Sequence, residues 1–236
     1  MLRSVAELYG SSVETVDGAV GHLADVYVDD RRWKVRHLVV ETGHGLGGRQ
    51  VLVAPRSVSS ADPARRRLRT GLTTRQIAGG PDAATARPVS RQHQLELSDC
   101  YHFPSYAVTA GASVLLAAPV EAGATDDPHL RSVRAITGYF VHARDGDAGH
   151  VADFLVEAES WSLRHLVVGV GIWRALRRTL VPVGWITGVS WTARALDVSL
   201  PAEAIRLAPA YDRGSGLSPE HEARVLGYYG PPPPAP

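Results

Sequence analysis

The stretch DGAVGHLADVYVDDRRWKVRHLVV at residues 17–40 recurs as DGDAGHVADFLVEAESWSLRHLVV at residues 145–168. The two stretches are identical at 13 of 24 positions, where unrelated sequences would match at roughly one or two. The same offset of 128 positions continues without a gap through later pairs of identical residues: Leu52/Leu180, Leu68/Leu196 and Tyr101/Tyr229. The chain is therefore an internal duplication, and each copy is long enough to form its own core.

The residues between the two copies are rich in glycine, proline and acidic turn formers, which is typical of a linker. We therefore predict a first domain with its tail at residues 1–108, a linker at 109–129, and a second domain with its tail at 130–236. The second tail ends in prolines at Pro231–Pro234, which can join neither a sheet nor a helix.

Each copy is predicted to consist mainly of short strands. The Asp-Gly dipeptides at 17–18 and 145–146 favour tight hairpins, because both residue types tolerate a positive φ. Apolar and polar residues alternate along Trp33–Val40, as in a strand with one buried face. Short strands leave exposed edges unless the sheet closes. We therefore predict a mainly β fold of two tandem small β-barrels, each followed by a short helical tail.

Local signals refine this prediction. Thr73 and Gln76 form a capping box for one short helix, and Ser218-Pro219 starts another in the second tail. The first tail, at Pro88–Pro104, is predicted to contain an equivalent helix. The predicted hairpins place two pairs of opposite charges across neighbouring strands, which we interpret as ion pairs that fix the register: Asp25/Arg36 and Asp153/Arg164.

Together these residues resemble the PRC-barrel family, named for the cytoplasmic part of photosynthetic reaction-centre H subunits. The segments that carry the resemblance are Asp17–Asp25, Trp33–Val40 and Val51–Pro55, with Asp145–Asp153, Trp161–Val168 and Leu180–Pro182 in the second copy. The resemblance implies small β-barrels that dock to other macromolecules. The better-understood members are a reaction-centre subunit and a ribosome-maturation factor that binds a ribosomal protein. The resemblance carries over no catalytic residues.

Composition excludes several classes of function. The chain has 25 basic and 24 acidic residues, so it has no long-range field to attract nucleic acid or an anionic membrane. A single cysteine, Cys100, excludes an intramolecular disulfide and a multi-thiolate metal site. The longest apolar run, Val114–Val120, is too short to span a bilayer. With no secretory signal at the start, we expect a cytoplasmic protein.

Candidate chemical sites are weak. Histidines recur in both copies, at His22/His150 and His37/His165, but zinc requires three or four converging ligands. The glycine-rich segment Gly43–Gly48 joins two strands, whereas a phosphate-binding loop opens a helix. We therefore predict no enzymatic activity, no cofactor and no metal.

Aromatic and basic residues concentrate in the second copy, and such residues are favoured at protein interfaces. The candidate interaction residues are Trp173, Arg174, Arg177, Arg178, Tyr228 and Tyr229. We predict a protein-interaction or scaffolding module, with self-association as one form. The alternative is an RNA- or ribosome-associated accessory factor that uses the arginines at 65–69 and 174–178. A third role, as an enzyme or small-ligand carrier, requires a polar cleft between the copies.

Overall fold

The structure is a computed structural model that describes residues 2–62, 64–88, 106–109, 112–115, 125–171, 177–214 and 216–232. The strands of the first copy are β1 (Leu2–Ser4), β2 (Ser12–Thr15), β3 (Gly18–Asp29), β4 (Lys34–Thr42), β5 (Gln50–Val53), β6 (Val58–Asp62), β7 (Arg67–Thr70) and β8 (Ala86–Arg87). Its helices are α1 (Val5–Leu8) and α2 (Thr74–Ala78), and its 3-10 turns are His44–Leu46, Pro55–Ser57 and Ala83–Thr85.

Between the copies, β9 (Tyr106–Thr109) and β10 (Ala112–Leu115) form a hairpin, and β11 (Thr125–Asp126) pairs in parallel with β8. The strands of the second copy are β12 (Leu130–Ser132), β13 (Phe140–Ala143), β14 (Gly146–Glu157), β15 (Leu163–Val170), β16 (Arg177–Pro182), β17 (Ile186–Ser190) and β18 (Ala195–Val198). Its helices are α3 (Val133–Ile136), α4 (Ala202–Leu207) and α5 (Pro219–Tyr229), with a 3-10 turn at Val183–Trp185.

The fold is mainly β, as predicted, and is built on two mixed sheets. In the described part of the chain each sheet has seven strands. Six of them follow the orders β5-β4-β3-β2-β7-β6 and β16-β15-β14-β13-β18-β17, and the seventh pairs with β3 in the first sheet and with β14 in the second. In the first sheet β2 runs parallel to β7, and in the second sheet β13 runs parallel to β18. The other pairings within these sheets are antiparallel. Elements therefore recur in the second copy in the order of the first.

The predicted closure into barrels is wrong, because both sheets are open. The edge strands β5 and β6 follow each other in the chain across the turn Pro55–Ser57, without a ladder between them. Instead of closing, the β5 edge is covered by a loop, in which Leu52 N–H donates to Pro81 C=O at 2.8 Å. At the β16 edge, Tyr211 N–H donates to Arg178 C=O at 2.8 Å. These loops protect edges that would otherwise be free to pair.

The seventh strand of each sheet comes from the other copy. β1 pairs antiparallel with β14, with Leu2 opposite Glu157, and β12 pairs with β3, with Leu130 opposite Asp29. Each copy thus completes the sheet of its neighbour. The identical tetrapeptides LRSV at residues 2–5 and 130–133 supply both exchanged strands. The repetition shows that both strands belong to the duplication, but it does not indicate which sheet each of them joins.

The two copies also share one core. Trp33 and Trp161 adopt left-handed backbone, with φ of 50° and 55°, and each lies beside the other copy. Val35 N–H donates to Trp161 C=O at 2.8 Å, and Leu163 N–H donates to Trp33 C=O at 2.7 Å. The Trp33 ring stacks on Phe154 with centroids 5.6 Å apart. A single hydrophobic cluster therefore contains buried residues of both copies.

The left-handed tryptophan also changes the predicted register in the first copy. Asp25 lies opposite Val39 and not opposite Arg36. The predicted strand began at Trp33, but this residue belongs to the turn, and two bulges shift the pairing further. The predicted Asp25–Arg36 ion pair is therefore wrong. Arg36 instead pairs with Asp29, at 3.2 Å, near the turn.

The predicted helix signals are confirmed where the structure describes them. Thr73 and Gln76 form the capping box of α2, and Ser218 caps α5 with Pro219 in the first turn. The corresponding helix is predicted within Pro88–Pro104, and residues 89–104 of this segment lie outside the described residues. Of the helices in the described ranges, none has the length and apolar character that crossing a membrane requires.

Candidate functional site

The predicted interaction residues are spread over the start of β16 and the end of α5. Trp173 and Arg174 lie outside the described residues. Arg177 donates hydrogen bonds to the carbonyls of Arg206, at 2.8 Å, and Ala208. These carbonyls belong to the C-terminal end of α4, where a positive charge is favourable. Arg177 therefore fastens α4 to the second sheet.

The two tyrosines attach α5 to the same region. The Tyr228 and Tyr229 rings meet edge to face with centroids 4.9 Å apart. The Tyr228 hydroxyl donates to Ala204 C=O at 3.0 Å, which links α5 to α4. Tyr229 packs against the core, and burial raises the pKa of its hydroxyl well above the ordinary value. Arg178 lies next to Arg177 on β16, opposite Gly169. Sequence reasoning thus selected residues that hold the helices in place.

Beside them is an exposed apolar side chain, Leu207, that sequence reasoning missed. The α4–α5 surface consists of Leu207 and Tyr228, whose exposed fractions are 64% and 44%, on two helices that the Tyr228 hydrogen bond to Ala204 joins. Leu207 occupies the position of Gly79, which ends α2 in the first copy. Comparison of the two copies at the repeat offset was the signal that could have identified it.

A second group of residues lies where the first strand of the chain meets the second sheet. Asp153, only 3% exposed, faces Val167 and not Arg164, so the second predicted ion pair is also wrong. Its carboxylate accepts hydrogen bonds from the Ser4 hydroxyl and from Ala6 N–H at 3.0 Å. A carboxylate at this position stabilises the N-terminus of α1.

The counterpart of this contact in the first sheet is made by Asp25. Its carboxylate accepts hydrogen bonds from the Ser132 hydroxyl at 2.5 Å and from Arg134 N–H at 3.3 Å. Desolvation raises the pKa of Asp25, and the Ser132 hydrogen bond opposes that rise. The duplicated aspartates therefore do not pair with arginines on their own sheet, but hold the exchanged segment of the other copy.

The first of these junctions opens into a cleft of about 720 Å³. Its walls are β1 and α1, the turn between β6 and β7, and the segment that follows α4. The charged groups on its lining are Arg3, Arg66 and Arg213 against Glu7 and Asp62, a formal balance of three positive and two negative charges. The polar cleft that a small-ligand role requires is therefore present.

The recurring histidines do not converge. His22 lies 3.7 Å from Glu41 in the first copy. His165 contacts Glu222 of α5 at 3.0 Å, and burial lowers its pKa although the glutamate acts in the opposite direction. Burial also lowers the pKa of His37. Among the described residues there is no group of three metal-ligating side chains.

Arginines of the basic cluster at 65–69 are largely paired. Arg67 and Arg69 both contact Glu14, at 3.3 and 3.1 Å, and Arg65 lies 3.8 Å from Asp62. This pairing reduces the positive potential available to a phosphate backbone.

A comparison of the chain with protein-family models finds no match, and a comparison with curated proteins finds none either.

Proposed function

We propose that the chain is a non-enzymatic protein-interaction module, and that its α4–α5 surface binds an acidic segment of a partner protein with apolar side chains. The observation that carries this proposal is the exposure of Leu207, at 64%, where the first copy has Gly79. An exposed leucine adds nothing to the stability of the helix that a polar residue could not supply. Apolar side chains grouped on one surface are typical of interaction sites.

The charge beside this surface supports an acidic partner. Arg206 lies near the end of α4, and Arg177 reaches the same helix end from the start of β16. Both guanidinium groups donate to neutral backbone carbonyls. Within the described residues neither forms an ion pair, so these bonds fix the side chains without neutralising them. Charges of one sign on both partners would weaken a symmetric contact between two copies of the chain. A partner with carboxylates beside its apolar residues complements the surface better.

The resemblance to the PRC-barrel family favours the same class of function, since its better-understood members dock to other macromolecules. The RNA- or ribosome-associated alternative has less support, because three of the four arginines at 65–69 (Arg65, Arg67 and Arg69) are engaged by carboxylates. It is retained as an outcome of the experiment below.

The test compares partner binding by the full chain and by Leu207→Gln, which keeps a good helix former at this position. Val16→Thr is the matched control, because Val16 is 67% exposed and lies in the first copy. Proteins captured from nuclease-treated native lysate by the wild-type chain are identified, and their affinities are then measured with purified components. Sedimentation of the purified chain gives its self-association.

We expect Leu207→Gln to weaken a direct complex by about ten-fold, the equivalent of about 1.4 kcal/mol, and Val16→Thr to leave it unchanged. An equal affinity for both variants would refute the assignment of the surface. Partners that disappear with nuclease would favour the RNA alternative. A dimer that Leu207→Gln dissociates would show that a second copy occupies the surface, contrary to the proposal.

A further inference from the structure

The cleft at the junction of the copies brings together three guanidinium groups from distant parts of the chain. Arg3 is on β1, Arg66 is in the turn between β6 and β7, and Arg213 follows α4. None of them belongs to the α4–α5 surface. A site of this composition is independent of the protein-binding surface proposed above.

Arg66 is held in position at the wall of the cleft. Its Nη2 donates to Tyr9 C=O at 3.1 Å. The same nitrogen lies over Gly10, where an added Cβ atom would approach it to 2.6 Å. The positive φ of Gly10, 70°, also favours glycine. The backbone here thus accommodates the guanidinium group, which reduces the entropy lost when Arg66 binds a ligand.

Arg213 is held by a second anchor. Its Nη2 donates to the Asp153 carboxylate at 2.6 Å. A guanidinium group carries five N–H donors. In the described part of the chain, the hydrogen bonds of Arg66 and Arg213 each occupy one of these donors. Both groups therefore keep donors for an anion in the cleft, while the charge of Arg213 is offset by Asp153.

Comparison of the two copies identifies Arg3 as the third group. Its counterpart Arg131 forms an ion pair with Asp30 at 2.5 Å, but the position equivalent to Asp30 in the second copy is Ala158. Arg3 thus lacks the carboxylate that its counterpart has, and its Nε is buried without a hydrogen-bond partner among the described residues. Its acidic neighbour Glu159 is exposed.

The remaining walls of the cleft carry the carboxylates of Glu7 and Asp62 and supply apolar area through Leu155, Tyr211 and Leu217. The volume of about 720 Å³ falls within the roughly 300–1,000 Å³ of small-molecule sites. We propose that this cleft binds a small organic anion. Arg3, Arg66 and Arg213 hold its carboxylate or phosphate group, and these apolar side chains contact its hydrocarbon part. Planar guanidinium groups suit both oxyanions.

The test is calorimetric titration of the full chain with phenyl phosphate, benzoate, inorganic phosphate and the uncharged benzamide. The first two probes distinguish a phosphate from a carboxylate ligand, and the last two measure the contributions of the ring and the charge. Arg3→Gln and Arg66→Gln are compared with Arg65→Gln, a neighbour in the same turn that does not line the cleft.

We expect one molecule of phenyl phosphate or benzoate to bind, with an affinity about ten-fold lower in Arg3→Gln and in Arg66→Gln and unchanged in Arg65→Gln. Since Arg3 lies on the exchanged strand, binding should also raise the thermal unfolding midpoint. Binding that both cleft variants retain, equal binding of benzamide, or no binding of either aromatic anion would overturn the proposal. Leu207→Gln should leave anion binding unchanged, which separates this site from the protein-binding surface.

Discussion

Replacement of Asp153 by alanine tests the exchange of strands between the copies. The buried carboxylate accepts hydrogen bonds from Ser4, Ala6, Phe154 and Arg213, so its removal leaves four donors without this acceptor. Breaking a buried ion pair costs about 3–5 kcal/mol, and losing a helix cap costs about 0.5–2 kcal/mol. Because Arg213 is 35% exposed, water can solvate it in the variant. We therefore expect a loss of about 3 kcal/mol in the free energy of unfolding.

The assay is urea denaturation of the wild-type chain and the variant, followed by tryptophan fluorescence and far-ultraviolet circular dichroism. Arg36→Ala is the matched control. Arg36 is 51% exposed and pairs with Asp29 at 3.2 Å, so its removal should cost less than about 1 kcal/mol. Amide hydrogen exchange reports the location of the damage, and protection at Leu2–Leu8 should fall first in Asp153→Ala.

Two results would refute this reasoning. One is a destabilisation by Asp153→Ala no larger than that of Arg36→Ala, since a buried acceptor and an exposed ion pair should differ by several-fold. The other is unchanged exchange at Leu2–Leu8, which would mean that the first strand does not depend on the second sheet. A coupling energy between Asp153 and Arg164 in a double-mutant cycle would instead favour the ion pair predicted from sequence.

Three further predictions follow from the shared core and its junctions. Burial raises the pKa of Asp25 above the ordinary value of 3.8, so its contribution to stability should fall as pH rises from about 3.8 through the raised pKa. Unfolding experiments across pH should show the wild-type chain losing stability relative to Asp25→Asn in this window, and a constant difference would contradict the assignment. Gly149→Ala should lower the free energy of unfolding in urea by at least about 2 kcal/mol, because the new Cβ atom would lie 2.2 Å from Gly169 C=O; a loss below about 1 kcal/mol would contradict this contact. Trp33→Ala should cost about 3–5 kcal/mol and loosen both copies together, since its ring stacks on Phe154; unfolding of one copy alone would refute the shared core.

The features that sequence predicted correctly are local. The capping box at Thr73 and Gln76 and the cap at Ser218 depend on a few adjacent residues, and the structure confirms both. The order of short strands follows from alternation and turn residues in the same way. The register at Asp25 was wrong because it depends on the left-handed conformation of Trp33, a bulky residue for which a positive φ is rare.

The exchange of strands was not predictable from one copy alone. The tetrapeptide LRSV would make similar backbone hydrogen bonds on the β3 strand or on the β14 strand, because both strands come from the same repeat. The choice between them depends on chain connectivity and on the shared core. The cleft depends on this choice, because the exchange brings Arg3 close to Arg213. Sequence analysis could name a cleft as a requirement but could not assign its residues.

The duplication separates structural residues from candidate functional residues. Some positions that support the shared core are the same in both copies, as with Trp33 and Trp161. A homodimer of one copy would present each surface twice, related by its symmetry axis. Two copies fused in one chain do not have to be symmetric, so a residue can differ in one copy while the other copy keeps its contact. The copies differ at Gly79/Leu207 and at Asp30/Ala158. These differences coincide with the apolar surface and with the arginine-lined cleft. Exchanging Ala158 for aspartate should therefore give Arg3 the partner of Arg131 and reduce anion binding in the cleft, with the fold intact.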